Sequence, residues 1–276
     1  MTADNASLAG RVAVITGATG GIGSAVCRHL AEHGAAVVVG FRRDPDAARA
    51  LASSLAAIPE NRHCSLQVDV TDDGALELFA EQISARYGRA DILVNSVGTT
   101  RFVPHADLRG LDDDLIDEIF RTNWRGPFAT IRALRPLLEK GAEKRFREPF
   151  SSDALEKGSR NLFSSLIVNL SSVAATIGIG SNVAYCASKA ALNAMTISLA
   201  RALAPAIRVV SVSPGVVETD FIKGLDERWR QEQLSRTPLG RLASPDDVAD
   251  AVLALATTLR STTGCVIPLD GGRPLA

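Results

Sequence analysis

Short runs rich in valine and isoleucine alternate along the chain with longer segments of helical periodicity. Arg11–Ile15, Ala36–Phe41, Cys64–Val68, Asp91–Asn95, Leu166–Leu170, Arg208–Val212 and Cys265–Leu269 predict seven strands. Most are near-continuous apolar runs, the pattern of strands buried on both faces. Between them Ile22–His33, Pro45–Ala57, Asp73–Tyr87, Asp112–Leu138, Val183–Leu203 and Pro245–Leu259 are long enough for crossover helices. Right-handed crossovers between parallel strands then give a doubly wound α/β sheet of about seven strands with helices on both faces.

One segment breaks the rhythm. Residues 140–165 are polar and hold Gly141, Pro149 and Gly158, whereas a helix-to-strand connection usually takes ~2–6 residues. It reads as a surface insertion, with a lid or subunit contact as the alternative. A chain of 276 residues that is 46% hydrophobic buries a large core, and this fold class reaches that length as one domain, so residues 1–276 are read as a single domain.

Charge narrows the partners. A formal net charge of −1, with no block of five like charges, gives no electrostatic footprint for nucleic acid or an anionic membrane. No run approaches the ~18 apolar residues of a membrane span and no apolar leader opens the chain, so a cytoplasmic location is expected. Cys27, Cys64, Cys186 and Cys265 have no C-x-x-C spacing, the four histidines are read as carrying no ligand pairing, and neither disulfide nor metal is expected.

Two places carry chemistry. After the first strand comes Thr16-Gly17-Ala18-Thr19-Gly20-Gly21-Ile22-Gly23, running into a helical pattern. Glycines there permit a tight turn and close backbone approach to a pyrophosphate, and the helix start supplies free N–H donors for the anion. Its position between a strand and a helix makes it a dinucleotide signal, and the absence of G-x-x-x-x-G-K disfavours a P-loop. The second place is Tyr185 and Lys189, four residues apart in an alanine-rich helical stretch, thirteen residues after Ser172. This spacing puts phenol and ammonium on one helix face, where the cation favours phenolate and suits the pair to acid/base work. With two tyrosines and five lysines in the whole chain, such a pair is rare by chance; its bland alternative is a half-buried Tyr beside a snorkelling Lys.

The glycine motif, Asn95-Ser96-Val97-Gly98 after the fourth strand, Ser172, Tyr185 with Lys189, Ser213-Pro214-Gly215 after the sixth strand and Asp270-Gly271-Gly272 near the end fall in one order. In this the chain resembles single-domain short-chain dehydrogenases/reductases nearly end to end, with 3-oxoacyl-(acyl-carrier-protein) reductases nearest in overall pattern. The resemblance implies a Rossmann-type fold, a nicotinamide cofactor, a cytoplasmic homotetramer, and reduction of a ketone to a secondary alcohol. It assigns Tyr185 as proton donor and Lys189 as the group that lowers its pKa and holds the nicotinamide ribose. Ser172 binds the substrate oxygen, with Ser171 a rival more suited to bonding backbone, and Asn123 offers its backbone carbonyl to a water relay. Cofactor contacts are implied at Gly17, Thr19, Gly20, Gly21, Ile22, Gly23, Asp69, Val70, Asn95, Gly98, Pro214, Gly215, Val217 and Thr219, besides Tyr185 and Lys189. Asn-Ser-Val-Gly replaces the family's Asn-Asn-Ala-Gly. Residues 219–238 are implied to form a substrate lid whose Lys223, Arg228 and Arg230 read as a solvated helix face.

Cofactor choice is read at the end of the second strand, where a carboxylate would accept from a ribose 2′-OH and a guanidinium would bind a 2′-phosphate. Arg42 and Arg43 stand there, favouring NADP(H) over NAD(H), and Asp44 is read as the cap of the next helix. Gly20 stands where NADP-dependent relatives often carry a basic residue. Ala204-Pro205-Ala206 stands where carrier-protein reductases often present one, which leaves a carrier-linked substrate open beside a small carbonyl. The alternatives are an NAD(H)-dependent alcohol dehydrogenase of the same family and a silent NADP-sensing protein. An S-adenosylmethionine methyltransferase, which shares the strand-Gly-loop-helix opening, would have no need of Ser172, Tyr185 and Lys189.

Overall fold

The computed structural model describes residues 7–58, 63–147, 164–219 and 226–275. Its strands are β1 (Val12–Thr16), β2 (Ala36–Phe41), β3 (Cys64–Gln67), β4 (Ile92–Asn95), β5 (Ser165–Leu170), β6 (Ile207–Pro214) and β7 (Val266–Leu269). Its helices are α1 (Gly21–Glu32), α2 (Pro45–Ser54), α3 (Asp73–Tyr87), α4 (Asp113–Phe120), α5 (Gly126–Arg147), a single turn α6 (Ala174–Ile177), α7 (Val183–Leu203), α8 (Glu227–Ser235) and α9 (Pro245–Thr257). The strands form one parallel sheet in the order β3-β2-β1-β4-β5-β6-β7. The winding reverses between β1 and β4, the place where open α/β sheets leave a ligand crevice at their carboxyl edge.

The strand pattern explains the layers. β1, β2, β4, β5 and β6 are buried along their whole length, so successive side chains enter two different cores. Ala13 and Ile15 pack with residues of α1, α2 and α9. Val12 and Val14 pack with residues of α3, α5 and α7. Each fully buried Val, Leu or Ile side chain contributes about 1.5–3 kcal/mol of transfer free energy, which holds the carboxyl edge rigid.

The segment read as one helix, Asp112–Leu138, is instead two. Arg121–Arg125 forms a π turn in which the Gly126 N–H reaches back to the Arg121 carbonyl. One extra residue per turn shifts the helical phase, so a single 3.6-residue period does not describe both halves. α5 also runs past Leu138 to Arg147, so the start of the expected insertion is helix. Gly141 read as a breaker, but a Cβ there would lie 2.1 Å from the Ala90 carbonyl oxygen. It is a contact glycine that lets α5 touch the chain entering β4. Residues 148–163 of the insertion and 220–225 of the expected lid, Lys223 among them, lie outside the described residues.

Candidate active site at the carboxyl edge of the sheet

The glycine turn is shaped by contact with other backbone. Gly17 has φ +66°, and a Cβ on it would lie 2.9 Å from the Ser96 carbonyl oxygen. On Gly23 a Cβ would lie 2.4 Å from the Gly17 carbonyl oxygen. A Cβ on Gly21 would lie 3.0 Å from Thr219 Cγ2, which brings the segment after β6 down onto the turn. Thr19 and Gly20 are exposed while Ile22 packs on the core. Side chains of Asp44, Asp72, Asp112, Asn182, Asp226 and Ser244 cap six other helices, but α1 starts at Gly20 with no side-chain cap and no acid in its first turn. A helix start left in this state favours an anion. The cradle fits a dinucleotide pyrophosphate.

Arg42 and Arg43 are exposed at the end of β2. Asp44 is the α2 cap, accepting the Ala47 N–H at 2.8 Å. Asp69 does not cap α3, which Asp72 does; its carboxylate accepts the N–H and hydroxyl of Thr71 at 2.9 and 2.7 Å. Burial works to raise its pKa, but these bonds and the charges of Arg42 and Arg43 leave it below the usual carboxylate range. Val70 lies beneath Gly126, where a Cβ would approach it to 2.7 Å, so α5 begins close against the loop after β3.

Tyr185 and Lys189 share one face of α7 as the spacing predicts, and Ser172, which the resemblance adds, stands beside Tyr185. Ser172 stands near enough to Tyr185 to act on its pKa and accepts the Ala174 N–H at 3.2 Å. Ser171 donates instead to the Lys189 carbonyl at 3.3 Å, a backbone bond that turns it away from the phenol. Lys189 is buried, its Nζ 5.8 Å from the Tyr185 ring centroid and donating to the Leu170 carbonyl at 2.8 Å. Burial lowers its pKa to about 8. The expectation that the lysine holds the phenol's pKa down is not met in the protein alone. Burial raises the Tyr185 pKa, and the nearby Ser172 hydroxyl opposes it. Gly98 closes the group, with Lys189 Nζ and Asn123 Oδ1 each 3.7 Å from where its Cβ would stand.

Asn123 lies in the π turn and is fully buried. Its Oδ1 accepts the Thr99 N–H at 2.8 Å, and its Nδ2 donates to the Thr99 carbonyl and to Ser188 Oγ at 3.0 and 3.1 Å. The side chain is thus engaged in structure. Asn95 turns inward rather than toward the crevice. Its Nδ2 donates to Asn169 Oδ1 at 2.9 Å, Asn169 Nδ2 to Thr196 Oγ1 at 2.9 Å, and Thr196 and Ser211 hydroxyls meet at 2.8 Å. Strand register explains this row, since Thr16, Asn95, Asn169 and Ser211 are successive partners across β1, β4, β5 and β6. Sequence reading missed Asn169, Thr196, Ser188 and Asn182. A lone polar residue inside Leu166-Ile167-Val168-Asn169-Leu170 was the available signal.

The stretch after β6 is anchored from several sides. The Pro214 carbonyl accepts the Val173 N–H at 2.8 Å, and the Gly215 N–H donates to the Leu269 carbonyl at 3.0 Å. Val217 bridges to Ala243, and Glu218 pairs with Arg230 of α8. Arg230 is therefore tied to the protein, and Arg228 is exposed as a solvated face predicts. His29 and His33 are in fact spaced as a helical ligand pair, a pattern overlooked in the sequence. His29 stands 3.3 and 3.2 Å from Asp246 and Asp250, and His33 bonds the His29 carbonyl. Among the described residues no group of three or more His, Cys, Asp or Glu could hold a metal, and no helix is long and apolar enough to cross a membrane.

Comparison with known proteins agrees with this geometry. Residues 11–145 match the family model described as short chain dehydrogenase, and residues 152–273 the one described as enoyl-(acyl carrier protein) reductase. A 3-oxoacyl-(acyl-carrier-protein) reductase of Thermotoga maritima is 34% identical over 270 residues, which cover 96% of this chain and 98% of that protein. The cis-4-hydroxycyclohexanecarboxylate dehydrogenase of Sinomonas cyclohexanicum is 33% identical over 271 residues, covering 96% and 97%. The crystal structure of a 3-ketoacyl-(acyl-carrier-protein) reductase from Brucella melitensis complexed with NADH superposes with TM-score 0.80 at 29% identity, covering 96% of this chain and 99% of that one. Likeness at this level along nearly the whole chain makes this protein a member of the short-chain dehydrogenase/reductase family, NAD(P)-dependent oxidoreductases acting on alcohol and carbonyl groups.

Proposed function

We propose that the protein reduces a ketone to a secondary alcohol with NADPH, Tyr185 donating the proton. The observation that carries this reading is the gathering of Tyr185, the buried Lys189 with its Nζ 5.8 Å from the Tyr185 ring centroid, and the neighbouring Ser172 at one place on the carboxyl edge. When bound, the reduced nicotinamide supplies the hydride. A substrate oxygen set between the Ser172 and Tyr185 hydroxyls would receive two hydrogen bonds and then the phenolic proton. A phenol whose pKa burial has raised is fully protonated at neutral pH and is poised to donate. Lys189, with a pKa near 8, is placed to return a proton, and the Asn123 carbonyl is the proposed start of a water relay behind it.

Arg42 and Arg43, exposed with no free acid between them and α2, support the 2′-phosphate of NADPH. The NADH bound to the Brucella relative favours a second reading, an NADH-dependent enzyme with the same chemistry. For substrate, Phe102 and Ile179 are large and exposed, on two loops joined by the Val103 N–H to the Ser181 carbonyl. They suit a ketone with an apolar substituent, as in a 3-oxoacyl chain, free or carrier-linked. The test is cofactor oxidation with simple ketones and 3-oxoacyl thioesters. Turnover with NADPH is expected, and Tyr185→Phe should abolish it while NADPH affinity stays within threefold. Substantial turnover in Tyr185→Phe removes the tyrosine from the mechanism; equal use of NADH overturns the cofactor assignment.

A further inference from the structure

Tyr185 is held in place by the loop that follows β4, through two asparagines. Asn182 is 1% exposed. Its Oδ1 caps α7 by accepting the Tyr185 N–H at 2.7 Å, while its Nδ2 donates to the Arg101 carbonyl at 2.7 Å and to Thr100 Oγ1 at 3.2 Å. On the other side Tyr185's own carbonyl accepts from Ser188 Oγ at 2.8 Å, and Ser188 in turn receives Asn123 Nδ2, whose amide holds both backbone groups of Thr99. Thr100 and Ser181 hydroxyls add a bond at 2.5 Å. The peptide groups flanking Tyr185 on both sides are therefore tied to residues 99–101, some eighty positions earlier. We propose that Asn182 is a positioning residue for Tyr185, its amide acting as a clamp between the loop after β4 and the first turn of α7, over and above its service as a helix cap.

Two roles are combined in one side chain, and they separate chemically. A cap needs only an acceptor, whereas the clamp needs both donors of the amide. Asn182→Asp keeps the first and loses the second, and it sets a carboxylate against the Arg101 carbonyl. Asn182 hydrogen-bonds Thr100, the Arg101 carbonyl and the Tyr185 N–H, so its effect reaches the chemistry through Tyr185 placement. Displacements on the order of 1 Å at a proton donor can cost about 10²-fold in rate.

The inference rests on the catalytic assignment of Tyr185. In the holoenzyme with NADPH and the best ketone, Asn182→Asp should lower kcat more than tenfold while KM and the NADPH dissociation constant stay within threefold. Thr100→Val, which removes the bonds of Thr100 to Asn182 and to Ser181 without touching the cap, should lower kcat about threefold with the same split. A general loosening of the fold would instead move KM, cofactor affinity and melting temperature along with kcat. The proposal is overturned if either variant keeps kcat within twofold of wild type, or if kcat falls only in proportion to cofactor affinity. Should Asn182→Asp not fold, Thr100→Val decides alone. Tyr185→Phe separates the two readings: full turnover there removes the catalytic assignment, whereas an inactive Tyr185→Phe beside active clamp variants removes the clamp only.

Discussion

The two halves of the carboxyl edge are built on different principles. Around β1 and β2 the site consists of absent atoms: Gly17 and Gly23 are required because a Cβ would meet the Ser96 and Gly17 carbonyls, a Cβ on Gly21 would crowd Thr219, and α1 is left without a side-chain cap. Around β4, β5 and α7 it consists of buried polar groups held by hydrogen bonds: Asn123 to Ser188, Asn169 to Thr196, Asn182 to the Arg101 carbonyl and Ser188 to the Tyr185 carbonyl. A cradle of missing side chains can receive a charged ligand of fixed shape. Hydrogen-bonded amides and hydroxyls fix the backbone on both sides of Tyr185 in one geometry, since an unpaired member costs about 1–3 kcal/mol.

The contrast can be broken first at Gly23. Gly23→Ala puts a Cβ 2.4 Å from one backbone atom and 2.8 Å from another, Ala18 Cα, with no flexible side chain to yield. Destabilisation of about 3 kcal/mol is expected from overpacking, with NADPH affinity lowered at least tenfold by titration. Retained affinity and melting temperature would show that the turn relaxes and is not a rigid cradle.

On the catalytic side, Lys189→Met should abolish turnover yet stabilise the fold. Burial depresses the Lys189 pKa from 10.5 to about 8, so charging it costs the folded state on the order of 3 kcal/mol below pH 8. Because the unfolded chain binds the extra proton between pH 8 and 10.5, that penalty fades and stability rises through this window. Denaturant midpoints across the window should show the rise in wild type and not in Lys189→Met. A destabilised variant at pH 7 would mean that the bond to the Leu170 carbonyl outweighs the burial of charge.

The smallest effect is expected at the surface of the cofactor half. Arg42→Asp should weaken NADPH about tenfold, about 1.4 kcal/mol, and narrow its advantage over NADH, because exposed charges act through screened contacts. Unchanged binding of both cofactors would take Arg42 out of the phosphate site and leave Arg43.

Elements with local signals were legible in the chain. The strands come from apolar runs, and α3 and α7 match their expected limits, Asp73–Tyr87 and Val183–Leu203, because a cap and a stop stand next to the periodic stretch. The π turn at Arg121–Arg125 was not legible, since it shifts the phase inside one apolar pattern. Nor was the helical part of the insertion, where Gly141 suggested a break and tertiary contact with Ala90 required a glycine.

What the sequence determined by itself is the order of strands and helices, the glycine turn, and the shared face of Tyr185 and Lys189, all set by interactions within a few residues. Only the tertiary structure decided that Asn95 turns inward to Asn169, that Asn182 reaches Arg101, and that burial raises the Tyr185 pKa. Hydrogen bonds across some eighty residues and removal from water exist only once the sheet has brought those segments together, and no local pattern encodes either.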